Sequence, residues 1–148
     1  MKPKVYVDTS VFGGIIDHEF QKASMEFFER IENGDFILVT SPIVQAEIDP
    51  APVKVRNLFD KILRISELVN VSREAIELRN LHLAHNILSF QHADDALHVA
   101  LATVSGCSMI ISWNFKHIVH YDKIPLYNAI NLLKGHSQIA IYSPMEVV

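Results

Sequence analysis

The sequence predicts an α/β fold, a three-layer α/β/α domain built around a mostly parallel central sheet of about five strands. Short apolar runs such as Val5-Tyr6-Val7 and Met109-Ile110-Ile111 have the length and composition of strands buried on both faces. Segments with helical periodicity separate these runs, and this alternation is typical of parallel sheets covered by helices. A chain of 148 residues fits one domain, so we expect residues 1–148 to form a single unit.

Caps and prolines set the element boundaries in the first half of the chain. Gly34 is typical of the residue that follows a helix end, and Ser41-Pro42 places an N-cap before a proline at the first helical position. Pro50 and Pro52 then end that short helix. The predicted elements are a strand at residues 4–8, a helix at 20–33, a strand at 36–39, and helices at 42–48 and 53–65.

The second half continues the alternation of strands and helices. Ser72 is a suitable N-cap for a long helix, and Gly106 and Gly135 mark helix ends. Leu97 and Leu101 share the apolar face of the helix that precedes Gly106. The predicted elements are a short strand at residues 67–71, a helix at 72–87, a helix at 94–105, a strand at 109–111, a short helix near Asn114, a helix at 125–133 and a strand at 138–142.

Composition and charge exclude several classes of protein. No stretch approaches the ~18 uninterrupted apolar residues of a membrane span, and Asp8 comes too early for a signal peptide, so we expect neither membrane insertion nor secretion. Cys107 is the only cysteine, which excludes an internal disulfide and favours a reducing cytoplasm. The net charge of −4 gives no overall basic footprint for nucleic acid, so any such contact must come from a local patch.

Three acidic residues are placed where a metal site could form. Asp8 directly follows the first strand, where ligands bind in open α/β sheets, and Glu47 and Asp95 lie in helices that follow strand-like segments. Carboxylates brought together raise each other's pKa, so a cluster of three needs a cation. Oxygen ligands of this kind select Mg²⁺ or Mn²⁺, and such ions activate water for phosphodiester hydrolysis. The residues therefore indicate the chemistry of a metal-dependent nuclease.

Three segments, in the correct order and spacing, resemble the PIN-domain ribonucleases, most closely the VapC-like toxins. They are residues 5–10 (VYVDTS), residues 41–48 (SPIVQAEI), and residues 95–102 (DALHVALA) followed by residues 110–115 (IISWNF). The resemblance spans nearly the whole chain, and the combination is more specific than any one motif. It implies a PIN-like domain and an endoribonuclease that hydrolyses RNA phosphodiester bonds as the toxin of a type II toxin-antitoxin pair.

The resemblance also implies site residues and partners. Asp8, Glu47 and Asp95 correspond to the catalytic, metal-binding acids, with Mg²⁺ or Mn²⁺ as the cofactor, and Ser10 assists at the same site. The family often has a fourth acid after the next strand. Here that segment offers Asn114, which can bind a metal or water without adding charge, and this leaves open whether one or two ions bind. The implied partners are an RNA substrate, a cognate antitoxin that covers the acidic site, and a second copy in a homodimer.

Each candidate residue also has a structural interpretation. Asp8 can cap the turn after its strand, and Glu47 can be a solvated surface residue. Asp94 and Asp95 both benefit from the dipole at a helix start. The choice of Asp95 follows from the resemblance, with Asp94 as a supporting residue. His98 follows Asp95 by one helical turn, and we expect it to orient or pack against neighbours rather than bind metal.

The remaining histidines do not suggest a zinc site. His82, His85 and His92 lack the spacing of a zinc signature and are interpreted as surface or helix-packing residues. No structural zinc is expected.

Two basic groups are candidates for RNA contact, although solvated charge is the alternative for both. The group after the fourth strand adjoins the proposed site, and Lys116 and His117 are its best candidates. Trp113 could stack on a base, but a core position beside the strand end is favoured. The groups are Lys54, Lys61 and Arg64, and then Lys116, His117, His120 and Lys123.

Two other functions compete with the nuclease. A phosphatase of the haloacid-dehalogenase type also places an aspartate after its first strand, but it uses Asp-x-Asp, and Ser10 occupies the second position here. A non-catalytic PIN-like protein that binds RNA or a partner would fit Asn114, yet the chain contains all three other acids.

Overall fold

Five parallel strands form the centre of the computed structural model, which describes residues 2–148. The strands are β1 (Lys4–Val7), β2 (Ile37–Thr40), β3 (Glu67–Leu68), β4 (Met109–Ile111) and β5 (Ala140–Tyr142). Their order across the sheet is β3-β2-β1-β4-β5, and each neighbouring pair is parallel. The mostly parallel sheet expected from the sequence is confirmed.

Seven helices in the described part of the chain cover the sheet and complete the expected three-layer arrangement. The last three helices of the chain pack against one another. The first, third and fourth helices form another group, together with the 3-10 turn at Gly14–Ile16 that precedes the second helix. None of the helices within residues 2–148 is long and apolar enough to cross a membrane. The helices are α1 (Thr9–Gly13), α2 (Gln21–Glu32), α3 (Pro42–Ile48), α4 (Val53–Leu63), α5 (Arg73–Ala84), α6 (Ala93–Val104) and α7 (Ile124–Leu133).

The strand order places a crevice beside Asp8. The chain winds outward from β1 in one direction through β2 and β3, and in the other direction through β4 and β5. The order therefore reverses between β1 and β4, and open α/β sheets bind ligands at the carboxyl ends of strands at such a point. Val7 and Ile111 are paired in register, so Asp8 and Ser112 leave the sheet side by side.

The central strands are held by burial on both faces. Val5, Tyr6 and Val7 have no exposed surface, and neither do Ile110 and Ile111 of the adjacent β4. Apolar side chains on both faces of a parallel strand are expected where helices cover the sheet on each side. The paired strands β1 and β4 therefore hold the residues that directly follow them in fixed positions.

Two sequence predictions need correction. The prediction of a short helix near Asn114 is wrong. The amides of Ile118 and Val119 both donate to the Asn114 carbonyl, so the segment forms only a single turn. The sequence also gave no indication of α1, because its five residues end in a glycine and the next residue, Gly14, is also a glycine, and glycine weakens helix propensity.

Several element boundaries differ from the predicted ones by a few residues. The strand predicted at residues 67–71 is reduced to Glu67–Leu68. The helix predicted at 72–87 ends at Ala84, because Asn86 adopts a left-handed conformation with φ of 59° that stops it. The other predicted elements lie within about three residues of their observed bounds, which is ordinary fraying at helix and strand ends.

Trp113 lies in the core, as favoured from the sequence, and packs against α1 and α2. Its ring stacks on Phe20 with centroids 4.1 Å apart, and its Nε1 donates to Ser24 Oγ at 2.8 Å. A Cβ atom on Gly14 would lie 2.3 Å from Ser24 Oγ and 2.8 Å from Trp113 Nε1. Position 14 therefore has no room for a side chain.

A Gly14→Ala variant should lose about 1–3 kcal/mol of unfolding free energy, because the added methyl group must displace the Trp113–Ser24 hydrogen bond. Gly13→Ala is the matched control, since a Cβ at Gly13 meets nothing within 4 Å and its φ of −63° is helical. Urea unfolding of both variants measures the difference. Equal stability of Gly14→Ala and the wild-type chain would contradict the tight packing.

Candidate functional site

The candidate site lies at the carboxyl edge of β1 and β4. Asp8 is 4% exposed, and its backbone amide still donates to the Ile111 carbonyl at 3.3 Å. The turn into α1 then points Thr9 and Ser10 toward the same edge of the sheet, where each hydroxyl bonds an acidic side chain. The sequence prediction that Asp8 occupies the switch point is confirmed by its position in the sheet.

Two serines orient the Asp8 carboxylate. Ser10 Oγ donates to Oδ1 at 2.6 Å, and Ser112 Oγ donates to Oδ2 at 2.7 Å. Ser10 Oγ also accepts from the Trp113 backbone amide at 2.8 Å, which ties the group to the packed indole. Ser10 therefore contacts Asp8, and its assistance at the site stays a prediction. Ser112 was missed, although its place after β4, the strand that flanks β1, was a signal that could have identified it.

The buried position makes a charged Asp8 unfavourable without a cation. Burial raises the pKa of Asp8 above its usual range, and the negative charge of Asp95 raises it further. The positive charge of His98 and the hydrogen bonds from Ser10 and Ser112 act in the opposite direction, but they do not offset the burial. A bound divalent cation would stabilise the ionised carboxylate here.

An Asp8→Asn variant should be more stable than the wild-type chain at pH 7 in the presence of a chelator, by about 1–2 kcal/mol. The pKa of Asp8 is higher in the folded than in the unfolded chain, so its contribution is most favourable below the usual value of 3.8 and is lost as pH rises through the folded pKa. Asparagine does not titrate. The stability difference should therefore grow with pH across this window, as measured by thermal unfolding from pH 3 to pH 7.

The control for this titration is Asp60→Asn, which changes an exposed carboxylate on α4. Its stability should stay within about 0.5 kcal/mol of the wild-type value, as is usual for surface substitutions. A difference for Asp8→Asn that is absent, or that shrinks as pH rises, would show that burial does not disfavour the Asp8 charge.

Glu47 is held by a chain of hydrogen bonds that reaches into the core. Its Oε1 accepts from Thr9 Oγ1 at 3.0 Å and from His98 Nε2 at 2.6 Å. His98 Nδ1 lies 2.8 Å from Tyr6 Oη, which is also 2.8 Å from Ser41 Oγ. Glu47 is therefore positioned by specific contacts, although 37% of its side chain remains exposed. Glu47 is thus a partly solvated surface residue, as the structural interpretation held, but one tied to the core by hydrogen bonds.

Glu47 and His98 shift each other's pKa in opposite directions. Burial alone would lower the pKa of His98, but the hydrogen bond and charge of Glu47, and the charge of Asp8, raise it overall. Partial burial would raise the pKa of Glu47, but the hydrogen bond and charge of His98 and the hydrogen bond from Thr9 lower it overall. His98 thus orients an acid, as the sequence suggested, and its contact with Glu47 rather than Asp95 was not foreseen.

Asp95 and Asp94 occupy the first turn of α6 and differ in exposure. Asp95 is half-buried, and its negative charge raises the pKa of both Asp8 and His98. Asp94 is exposed. The lower exposure of Asp95 therefore supports it as the residue of the two that faces the site. Neither helix periodicity nor the helix dipole could distinguish between them.

The segment after β4 carries the other sequence candidates. Asn114 Oδ1 accepts from the His117 backbone amide at 2.9 Å, so this amide side chain fixes the turn. Lys116 is exposed on that turn, while His117 is half-buried and its ring packs on His92 with centroids 3.8 Å apart. The distant basic group including Lys54 and Lys61 instead borders a groove lined by α2 and α4.

The acids fit a hydrated hard cation rather than a fully enclosed one. Asp8, Glu47 and Asp95 do not bring three oxygens within 4.8 Å of one another in the described part of the chain. Mg²⁺ commonly keeps several waters and takes only one or two carboxylates directly, so acids spread around one edge suit it. The buried Asp8 carboxylate, oriented but not neutralised, is the feature that favours a cation at this edge.

Comparison with known proteins identifies a family model and a shared fold. The model described as the PIN domain matches residues 5–124 of the chain. No curated protein is significantly similar in sequence.

Three solved structures have the same fold over nearly their whole length. VapC20 from Mycobacterium tuberculosis, described as a sarcin-ricin loop cleaving toxin, is 13% identical, with a TM-score of 0.59 and coverage of 92% of this chain and 98% of that one. VapBC2 from Rickettsia felis, bound to a DNA fragment from its promoter, is 13% identical, with a TM-score of 0.60 and coverage of 95% and 98%. FitAcB from Neisseria gonorrhoeae is 13% identical, with a TM-score of 0.61 and the same coverage. At these identities the likeness establishes the fold alone.

Proposed function

The chain belongs to the PIN domain family, and on that premise we propose that it is a metal-dependent endoribonuclease that hydrolyses RNA phosphodiester bonds. The observation that carries the proposal is the Asp8 carboxylate, buried at the switch point of the sheet and oriented by two serines without a neutralising ion pair. Asp95 and Glu47 lie at the same edge. Together these acids supply the oxygen ligands that Mg²⁺ and Mn²⁺ prefer.

Asp8, Glu47 and Asp95 are the residues that would hold the ion. A bound Mg²⁺ or Mn²⁺ would supply a water of lowered pKa and stabilise charge on the leaving oxygen. Ser10 and Ser112 hold both oxygens of Asp8 in place through hydrogen bonds.

The remaining residues position the acids and the RNA. His98 and Thr9 orient Glu47 at the end of α3 through hydrogen bonds to its Oε1. Asn114 supports the site by shaping the turn that presents Lys116 and His117, whose charge and imidazole group are suited to contact the RNA backbone.

We further propose that the chain is the toxin of a type II toxin-antitoxin pair that acts in the cytoplasm as a homodimer. The PIN family match, with a fold shared with a structure described as a toxin, supports this role. A cognate antitoxin would then cover the acidic edge and block access of RNA. The phosphatase alternative is disfavoured by the family match and by Ser10, which donates to Asp8 where that class needs a second acid.

The test of the proposed function is cleavage of a mixed pool of single-stranded and structured RNAs by the purified chain. We expect cleavage with Mg²⁺ or Mn²⁺, none with a chelator, and restoration when metal is returned. Asp8→Asn protein purified in the same way controls for contaminating nucleases. Equal cleavage by both proteins would contradict the proposal, and RNA binding without cleavage would instead favour the non-catalytic alternative.

Lys116→Ala should weaken RNA binding and reduce the slope of log affinity against log salt by about one, because one phosphate contact is lost. Lys22→Ala on α2 is the matched control, since Lys22 is also exposed but lies on a different segment. Binding measured with the catalytically inactive chain at several salt concentrations separates the two variants. An unchanged slope for Lys116→Ala would remove Lys116 from the RNA interface.

A further inference from the structure

We propose that His92, Asp95 and His117 form a second metal site, which binds a divalent transition-metal ion of the zinc, cobalt or nickel class. Each residue offers one ligand atom, and the three atoms all lie within 4.8 Å of one another. The inference goes beyond the proposed nuclease function and does not depend on it. The two sites share Asp95 only.

Two separate pieces of the chain bring these three ligands together. His92 is the N-cap residue of α6, Asp95 lies in the first turn of the same helix, and His117 comes from the turn after β4. That turn is held at its backbone, because the His117 amide donates to Asn114 Oδ1 at 2.9 Å and its carbonyl accepts from Tyr127 Oη at 2.8 Å. The turn that carries His117 is therefore held in place by two side chains, those of Asn114 and Tyr127.

The ligand chemistry differs from that of the acidic edge. Two imidazole nitrogens and one carboxylate oxygen favour borderline transition metals, whereas carboxylate and water oxygens favour Mg²⁺ and Mn²⁺. Three protein ligands leave coordination positions open for water, in contrast to the closed four-ligand sites of structural zinc. The absence of a zinc signature in the sequence therefore does not bear on this site.

One ring nitrogen of His117 has no protein partner in the part of the chain that the structure describes, which leaves that imidazole free to bind an ion. His117 Nδ1 is buried and has no hydrogen-bond partner within residues 2–148. Buried polar atoms normally have a partner, so an unpartnered imidazole nitrogen calls for an explanation such as a bound ion. His92 Nε2 lies 3.2 Å from the amide of the exposed Gln91, a side chain that can move aside when an ion binds.

Cobalt titration tests the site without relying on activity. Co²⁺ added to the metal-free chain should give visible absorption bands that Zn²⁺ displaces. His92→Gln and His117→Gln should each weaken Co²⁺ binding at least about tenfold, since even outer-shell partners contribute about 10- to 100-fold to metal affinity. These substitutions leave the backbone contacts of the turn in place, and circular dichroism checks the fold.

Two control variants make the outcome specific. His85→Gln changes an exposed histidine at the end of α5 and should bind Co²⁺ as the wild-type chain does. Asp8→Asn, which disables the acidic edge, should also retain the cobalt bands. Failure of RNA cleavage would leave this result unchanged, so the two proposals fail separately.

Imidazole resonances provide a measurement on the unaltered chain. In ¹⁵N-labelled protein, one equivalent of Zn²⁺ should shift the ring nitrogens of His92 and His117 and leave those of His85 unchanged. The proposal is overturned if these resonances do not move, or if the cobalt bands survive both histidine substitutions and disappear in Asp8→Asn.

Discussion

An Asp8→Asn variant is expected to cleave RNA about 100- to 1,000-fold more slowly than the wild-type chain, with the fold intact. Asparagine preserves the size of the side chain and can still bond Ser10 and Ser112, but it removes the charge that holds a cation at the switch point. Loss of one preorganised group that stabilises charge in a transition state has effects of this size. Single-turnover cleavage at saturating Mn²⁺ measures the rate.

The substitution separates function from stability. Because the same change should make the metal-free chain more stable, we expect loss of cleavage without unfolding, and thermal unfolding in the assay buffer checks this. Asp60→Asn, which alters an exposed carboxylate on α4, should retain the wild-type rate. If Asp8→Asn cleaves RNA at the wild-type rate, the reaction does not require this carboxylate to bind the metal ion.

Asp95→Asn should also reduce cleavage about 100-fold or more, whereas Asp94→Asn should stay within a few-fold of the wild-type rate. The two residues are adjacent in the first turn of α6 and have the same chemistry, so each is the natural control for the other. They differ because Asp95 is half-buried near Asp8, while Asp94 is exposed. The comparison uses the same RNA and metal concentration.

A reversed result, with cleavage lost in Asp94→Asn and retained in Asp95→Asn, would contradict this prediction and identify Asp94 as the metal ligand. Equal and small effects in both would indicate that α6 contributes no acid to the reaction. Thermal unfolding of each variant ensures that a lower rate reflects the site rather than the fold.

Much of the fold could be predicted because its signals are local. Ser41 and Ser72 cap their helices with side-chain hydrogen bonds from the amides of Val44 and Ala75, as their sequence positions indicated. Gly34 has a positive φ of 82° after its helix, which is the conformation that glycine adopts most readily. Caps of this kind act over a few residues and are therefore visible in the sequence.

The details of the site could not be predicted because they depend on contacts between distant segments. Ser112 reaches Asp8 only because β4 pairs with β1, and nothing near Ser112 in the sequence shows that pairing. Glu47 and His98 meet across 51 residues, although each lies in a helix that the sequence located correctly. The carboxylates could be anticipated as a group, whereas the side chains that orient them required the tertiary structure.

The measurement to make first is the rate of RNA cleavage across a titration of free Mn²⁺, with bound Mn²⁺ determined in the same samples. We expect the rate of the wild-type chain to rise and saturate together with occupancy of a site that Asp8→Asn lacks, and to fall to the background rate when a chelator is added. Cleavage that persists in the chelator, or that does not follow the bound metal, would contradict a metal-dependent ribonuclease centred on Asp8.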